Sequence, residues 1–308
     1  MSEQDQPVNQ PQIPQPALWR KLLSGNRGQI TKAAAQIRAE GLTDDYAALL
    51  LAARRRDARR PRRLLGMVTL MAPYTERERR SALTALGLLW GALGREVAMA
   101  LDPKASHFDR EHAHKALARR RDQRAVRPLV EALLGGYALE DWQLIPTLGA
   151  LGDLRAADAL VRYLGLNQEK ACIPDNAVLD IGIDVGRALR ELNAQEALNI
   201  AKEARFSPFP HQRIGAALVI AGWGDEKLAP LLVPLVEDHV ALVRVAAINA
   251  LGELKAAASS IPLQALAADS DPDVREAVER ALQQVMLANA QRAIKASKSK
   301  PRSALKAR

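Results

Sequence analysis

The feature that most constrains this chain is a pair of residues, one small and one Leu, that returns along most of its length: Ala85-Leu86, Ala116-Leu117, Thr147-Leu148, Ala188-Leu189, Ala217-Leu218, Ala250-Leu251 and Ala281-Leu282. The leucines are separated by 31, 31, 41, 29, 33 and 31 residues. A period of this length is the mark of a stacked repeat, in which each unit buries its apolar face only against its neighbours. Three residues after most of these leucines stands a second apolar residue, namely Leu89, Leu151, Leu192, Ala221, Leu254 or Val285. An i, i+3 pair shares one face of a helix. Gly, Asp, Glu, Lys or Asn then clusters, as in Gly152-Asp153 and Gly224-Asp225, where that helix should end.

A second apolar stripe follows each turn, for example Val126, Leu129, Val130 and Leu133. Each period therefore predicts helix, turn, helix. Pro128 and Pro262, each eleven residues after a reference Leu, suit the first turn of the second helix, where a missing N–H costs little. Asp271-Pro272 has the form of an N-cap and first helical residue. Aromatic residues are only 4% of the chain against 48% apolar residues overall, so the apolar mass is mostly Ala and Leu, which favour helix over strand. The expectation is an all-α chain with no sheet.

Asp271-Pro272-Asp273-Val274-Arg275, Val243-Arg244 and Ala250-Leu251-Gly252-Glu253-Leu254 resemble HEAT repeats, in particular the short HEAT-like kind known from phycobilisome lyases. The resemblance covers residues 106–288 well and 17–105 more weakly. It implies antiparallel helix pairs stacked into an α-α superhelix. It also implies that Arg110, Arg244 and Arg275, each seven residues before a reference Leu, form a ladder bonding to acids or carbonyls of the adjacent repeat. Scaffolds, lyases, metal-dependent hydroxylases and nucleic-acid enzymes all use such repeats, so the fold does not choose the function.

Four segments are expected: a disordered tail at 1–16 rich in Gln and Pro, a helical cap of degenerate repeats at 17–105, the repeat array at 106–288, and a basic disordered tail at 289–308. Thr75 and Glu78 are spaced as a capping box in the cap. The interval of 41 between Leu148 and Leu189 leaves an insertion near 167–180, read as a tolerated surface loop with a partner-contacting loop as the alternative.

The residues exclude more chemistry than they support. The lone Cys172 permits no internal disulfide and lacks a basic setting beyond Lys170. Iron enzymes of this repeat class use His-Glu dipeptides. The nearest approach here, Glu111-His112 with His114, spreads its groups around the helix. No phosphate-cradling Gly loop or nucleophile elbow occurs, and no catalytic, cofactor or metal residue is assigned. With no signal pattern or membrane-length apolar run, the expected setting is cytoplasmic.

Charge is the remaining lead. Residues 1–128 carry 24 Lys and Arg against 13 acids, residues 129–256 carry 11 against 17, and residues 257–308 carry 9 against 5. The candidate contact residues are Arg54, Arg55, Arg56, Arg59, Arg60, Arg62 and Arg63, then Arg119, Arg120, Arg121, Arg124 and Arg127, then Lys295, Lys298, Lys300 and Arg302 of the tail. Guanidinium groups bind carboxylate or phosphate bidentately, although a solvated helix face is the plainer reading of such runs. No aromatic residue interleaves with Arg54–Arg63, which disfavours base stacking. The expected function is a non-catalytic scaffold or adaptor for a protein partner. The alternatives are a nucleic-acid-associated protein held through phosphates and a lyase or lyase subunit for a tetrapyrrole. Arg120 is the anomaly within this set, because it takes the place that other repeats give to Leu89 or Leu254. It must reach solvent or meet a carboxylate.

Overall fold

The computed structural model describes residues 15–54, 59–64, 68–102, 105–134, 141–169, 171, 178–256 and 260–299, with no side-chain description for 51–73, 141–142, 257–262 and 296–299. The described residues are predominantly α-helical and fall into two compact units, Met1–Asp141 and Trp142–Arg308.

The first unit contains α1 (Pro16–Leu22), α2 (Arg27–Ala39), α3 (Thr43–Arg54), α4 (Glu76–Leu89), α5 (Ala92–Ala100), α6 (His107–Arg120) and α7 (Val126–Leu134). Its N-terminal core joins Leu18, Leu22, Ile30, Ile37, Tyr46 and Leu50 to Ala85 and Leu89, so α1 to α4 close on one another. Thr75 opens α4 as the spacing requires: its hydroxyl accepts from the Glu78 N–H at 3.3 Å, and the Glu78 carboxylate accepts from the Thr75 N–H at 2.8 Å. Between α3 and α4 the expectation of no sheet fails. Strands β1 (Arg59–Leu64) and β2 (Val68–Pro73) pair antiparallel, with Arg62 opposite Leu70 and Arg63 opposite Thr69. Sequence pattern gives little sign of β1, since four Arg and a Pro are poor strand formers.

The second unit contains α8 (Asp141–Leu151), α9 (Arg155–Tyr163), α10 (Val178–Glu191), α11 (Gln195–Ala204), α12 (Pro210–Trp223), α13 (Ala241–Leu254), α14 (Ser260–Ala265) and α15 (Pro272–Ser299). Helices α10, α12, α13 and α15 pack side by side as one layer, and α11 backs α12 from the other. Between α12 and α13 the second-layer place is taken by two 3-10 segments, Glu226–Leu231 and Val233–Glu237. Pro230 and Pro234 remove backbone N–H donors there. The apolar column Leu89, Leu151, Leu192, Ala221, Leu254 and Val285 is buried at every position, as the period demands.

Glycine sets the tightest helix contact. A Cβ at Gly222 would stand 2.3 Å from the Ile183 carbonyl oxygen and 2.6 Å from both the Arg187 nitrogen and the Gly186 Cα. Only a pair of glycines lets α10 and α12 approach this closely. The C-terminal reading needs correction, because α15 runs for 28 residues to Ser299 without stopping near 289. Arg292 bonds the Lys255 carbonyl at 3.0 Å and pairs with Glu226, which anchors that extension on the unit. No helix among the described residues is long and apolar enough to cross a membrane.

Candidate functional site

The best-organised side chains in the second unit form a ladder. Arg213, Arg244 and Arg275 recur every 31 residues, as do Asp238 and Asp269. Arg213 grips Asp238 through Nε–Oδ2 at 2.7 Å and Nη2–Oδ1 at 2.9 Å, and its Nη1 donates to the Ser207 carbonyl at 2.8 Å. Arg244 repeats the pattern with Asp269 at 3.1 and 2.8 Å and with the Asp238 carbonyl at 2.9 Å. Arg275 makes the carbonyl bond, 2.7 Å to Asp269. Each Asp also caps the turn that follows it, accepting from the Val240 or the Asp271 N–H at 2.9 Å. Burial raises the Asp238 pKa, yet the bonds from Arg213 and Val240 outweigh it and hold the carboxyl below the ordinary range. At Asp269 the bond from Arg244 leads the same lowering.

The ladder places two exposed aromatics. Ser207, clamped by Arg213, lies in the turn between α11 and α12, and Phe206 and Phe209 stand on either side of it. Phe206 is 71% exposed and Phe209 42%. The Arg205 guanidinium bonds the Lys202 carbonyl at 2.9 Å and sits 4.2 Å from the Phe206 ring centre, covering one face of the ring. His211 lies 5.8 Å from Phe209 between ring centres. His211 Nε2 is 3.1 Å from the Gln168 carbonyl, which also accepts from Gln212 at 2.8 Å, so the start of the insertion docks on α12. These aromatics carry no periodic signal and escape a reading based on repeats. A bulky aromatic in a polar turn is the one sign they leave.

The arginines singled out by sequence are divided. Arg54 ends α3; Arg59, Arg60, Arg62 and Arg63 lie on β1; Arg55 and Arg56 fall outside the described residues. In the second cluster three of the five meet acids. Arg120 holds Glu96 of α5 through Nε–Oε2 at 2.8 Å and Nη2–Oε1 at 2.7 Å while its side chain stays 39% exposed, so it both reaches solvent and meets a carboxylate. Arg124 pairs with Asp122 at 2.7 Å and Arg127 with Glu131 at 2.9 Å. Arg119 and Arg121 are exposed, and Arg121 adopts a left-handed conformation (φ 52°) as the C-cap of α6. Arg124 also lies 5.8 Å from the Trp90 ring, whose N–H donates to Asp44 at 2.8 Å. Asp44 is near the start of α3 and Arg54 ends it, about 15 Å further along the helix. Lys295 is exposed on α15, the Lys298 backbone continues α15, and Lys300 and Arg302 lie outside the described residues.

Glu111 pairs with Lys115 at 2.6 Å, His112 Nδ1 contacts the Phe108 carbonyl at 3.1 Å, and His114 is buried. Cys172 is outside the described residues. Among the described residues no three His, Cys, Asp or Glu are grouped to hold a metal.

Residues 195–283 match the family described as HEAT repeats. No curated protein matches the chain. Among solved structures, human deoxyhypusine hydroxylase in complex with glycerol is similar at 20% identity, covering 81% of this chain and 99% of its own, with a TM-score of 0.31. A designed armadillo repeat protein in complex with the peptide (KR)4 is similar at 15% identity, covering 63% and 100%, with a TM-score of 0.30.

Proposed function

We infer that the chain, a HEAT-repeat protein over residues 195–283, is a non-catalytic scaffold whose partner is another protein docking on the turn between α11 and α12. The observation that carries this reading is the exposure of Phe206 and Phe209 on a turn fixed by Arg213. A large apolar side chain left in water costs free energy that burial in a partner returns, at about 25 cal/mol per Å². A rigid turn loses little further entropy on docking. Aromatic residues, Phe among them, and Arg are enriched in the cores of protein interfaces.

Local acids already engage Arg120, Arg124 and Arg127, which leaves less free charge for phosphates and supports the protein reading over the nucleic-acid one. The test is capture by the immobilised full chain, with nuclease treatment, from cells that express it. A protein retained after digestion and lost with the Phe206→Ala/Phe209→Ala variant is the expected result. Equal capture by that variant overturns the docking site, and loss of all capture on digestion overturns the protein partner.

A further inference from the structure

We propose that the groove between the start of α2 and the exposed face of α4 is a second binding site, selective for an acidic peptide segment. It encloses about 700 Å³ and is lined by Gly25, Arg27, Ile30, Glu76, Arg77, Arg80, Ser81 and Thr84. Three guanidinium groups face one carboxylate. Arg77, Arg80 or Ser81, and Thr84 recur at helical spacing, so α4 offers one continuous wall. Arg27 begins α2, whose first turn contains no acid to offset it.

The cations in this groove are underused. Arg80 reaches Glu76 at 3.6 Å in a pair that is more than half exposed on both sides. Among the described residues no acid or carbonyl is bonded to the guanidinium of Arg27 or Arg77. Gly25, at φ 74°, has no side chain to obstruct Arg77: a Cβ there would be 2.1 Å from the Arg77 Nε. The turn between α1 and α2 therefore seats the Arg77 guanidinium against the backbone and holds it at the groove. The other polar groups are spent locally, since the Ser81 and Thr84 hydroxyls donate to the Arg77 and Arg80 carbonyls.

A groove of this size exceeds what a single inorganic anion fills, and carboxylates on neighbouring peptide residues match guanidinium groups one turn apart. Ile30, a core residue, closes the base of the groove. No aromatic lines the groove for base stacking, so peptide fits better than nucleic acid. This site is independent of Phe206 and Phe209, and its test does not depend on them.

The probe is a fluorescein-labelled peptide of four glutamates flanked by glycines, titrated by anisotropy with the full chain at low salt. Its glutamine counterpart and a labelled oligouridine are titrated alongside. The glutamate peptide should bind saturably and weaken as salt rises, and the glutamine peptide should not bind. Arg27→Glu places an acid at the start of α2, where the helix dipole favours it, so it should keep or raise the melting temperature. It should also weaken the peptide by about tenfold or more, since one favourable charge contact is exchanged for a repulsive one. Arg38→Glu changes net charge equally outside the groove and should retain binding. Equal binding of both peptides, an unaffected Arg27→Glu variant, or equal loss in Arg38→Glu overturns the proposal. Tighter binding of oligouridine, lost with Arg27→Glu, overturns the peptide in favour of a phosphate ligand.

Discussion

Arg213 and Asp238, 25 residues apart in the chain, meet through two hydrogen bonds of 2.7 and 2.9 Å with both side chains less than a tenth exposed. Removing one partner of such a pair leaves a desolvated charge behind, which is costlier than the pair's own net contribution. Asp238→Asn keeps the volume, loses the charge and should cost about 3 kcal/mol. Denaturant unfolding of the second unit measures it. A midpoint within error of the wild type would show that the rung is solvated.

The same carboxylates set the response to acid. The folded pKa values of Asp238 and Asp269 are lowered, so each contributes stability that is fully present above the unfolded carboxylate value, about 3.9. That contribution is lost as pH falls through the folded value. Melting temperature should therefore be flat with respect to these groups from about pH 5 to 7 and drop below pH 4, where Asp and Glu titrate. The drop should shrink in a variant with both residues changed to Asn. An unchanged acid limb in that variant would assign acid sensitivity elsewhere.

Neighbouring arginines at the end of α6 should respond in opposite directions. Arg120→Leu breaks the Glu96 pair but gains nothing by burial at an exposed position, so a small fall in melting temperature is expected, about 2 °C. Arg121→Gly relieves a left-handed backbone that costs a non-glycine residue about 1 kcal/mol and should raise it. A rise for Arg120→Leu would mean that the pair opposes folding.

Gly222→Ala tests the approach of α10 to α12. Its methyl would collide with backbone atoms of Ile183, Gly186 and Arg187, none of which can swing aside as a side chain can. A loss of about 2–3 kcal/mol in denaturant unfolding follows from overpacking of this kind. Gly224→Ala is no substitute, because its φ of 75° would strain any side chain.

Periodicity made the buried column legible from Leu89 to Val285, because a helix that must bury one face repeats its apolar residues whatever its partners are. Arg110, Arg244 and Arg275 shared a position before their Leu, and it was the resemblance to HEAT repeats that implied a ladder there; Arg110 makes the carbonyl bond, to Ala105 at 2.6 Å. Arg213 did not share it, since the 33-residue interval from Leu218 to Leu251 shifts it to five residues before its Leu. Counting from one Arg to the next restores the interval of 31. The β1–β2 ladder and the run of α15 to Ser299 rest on pairing and on contacts such as Arg292 with Glu226, which are invisible in local composition. Of the acids that absorb the charge of the second Arg cluster, Asp122 and Glu131 stand two and four residues from Arg124 and Arg127, whereas Glu96 is 24 residues from Arg120 and only the packing of α5 on α6 reveals it. Phe206 and Phe209 lay outside any repeat pattern.

The Arg–Asp rungs tie together the turns that enter α12, α13 and α15, all at one edge of the second unit. Pulling that unit lengthwise loads the Arg213–Asp238 and Arg244–Asp269 rungs, each a double hydrogen bond whose two halves must rupture together. The opposite edge, where Gly152, Asn193, Gly224 and Lys255 turn the chain left-handed, is tied by exposed contacts, Arg190 to the Trp223 carbonyl at 3.3 Å and Arg292 to the Lys255 carbonyl at 3.0 Å and to Glu226. The two margins therefore differ in kind, one tied by buried double hydrogen bonds and the other by solvent-exposed single contacts. In force spectroscopy, Asp238→Asn and Asp269→Asn should lower the rupture force and Arg190→Ala should leave it unaltered; equal softening by all three would mean that both margins bear the load.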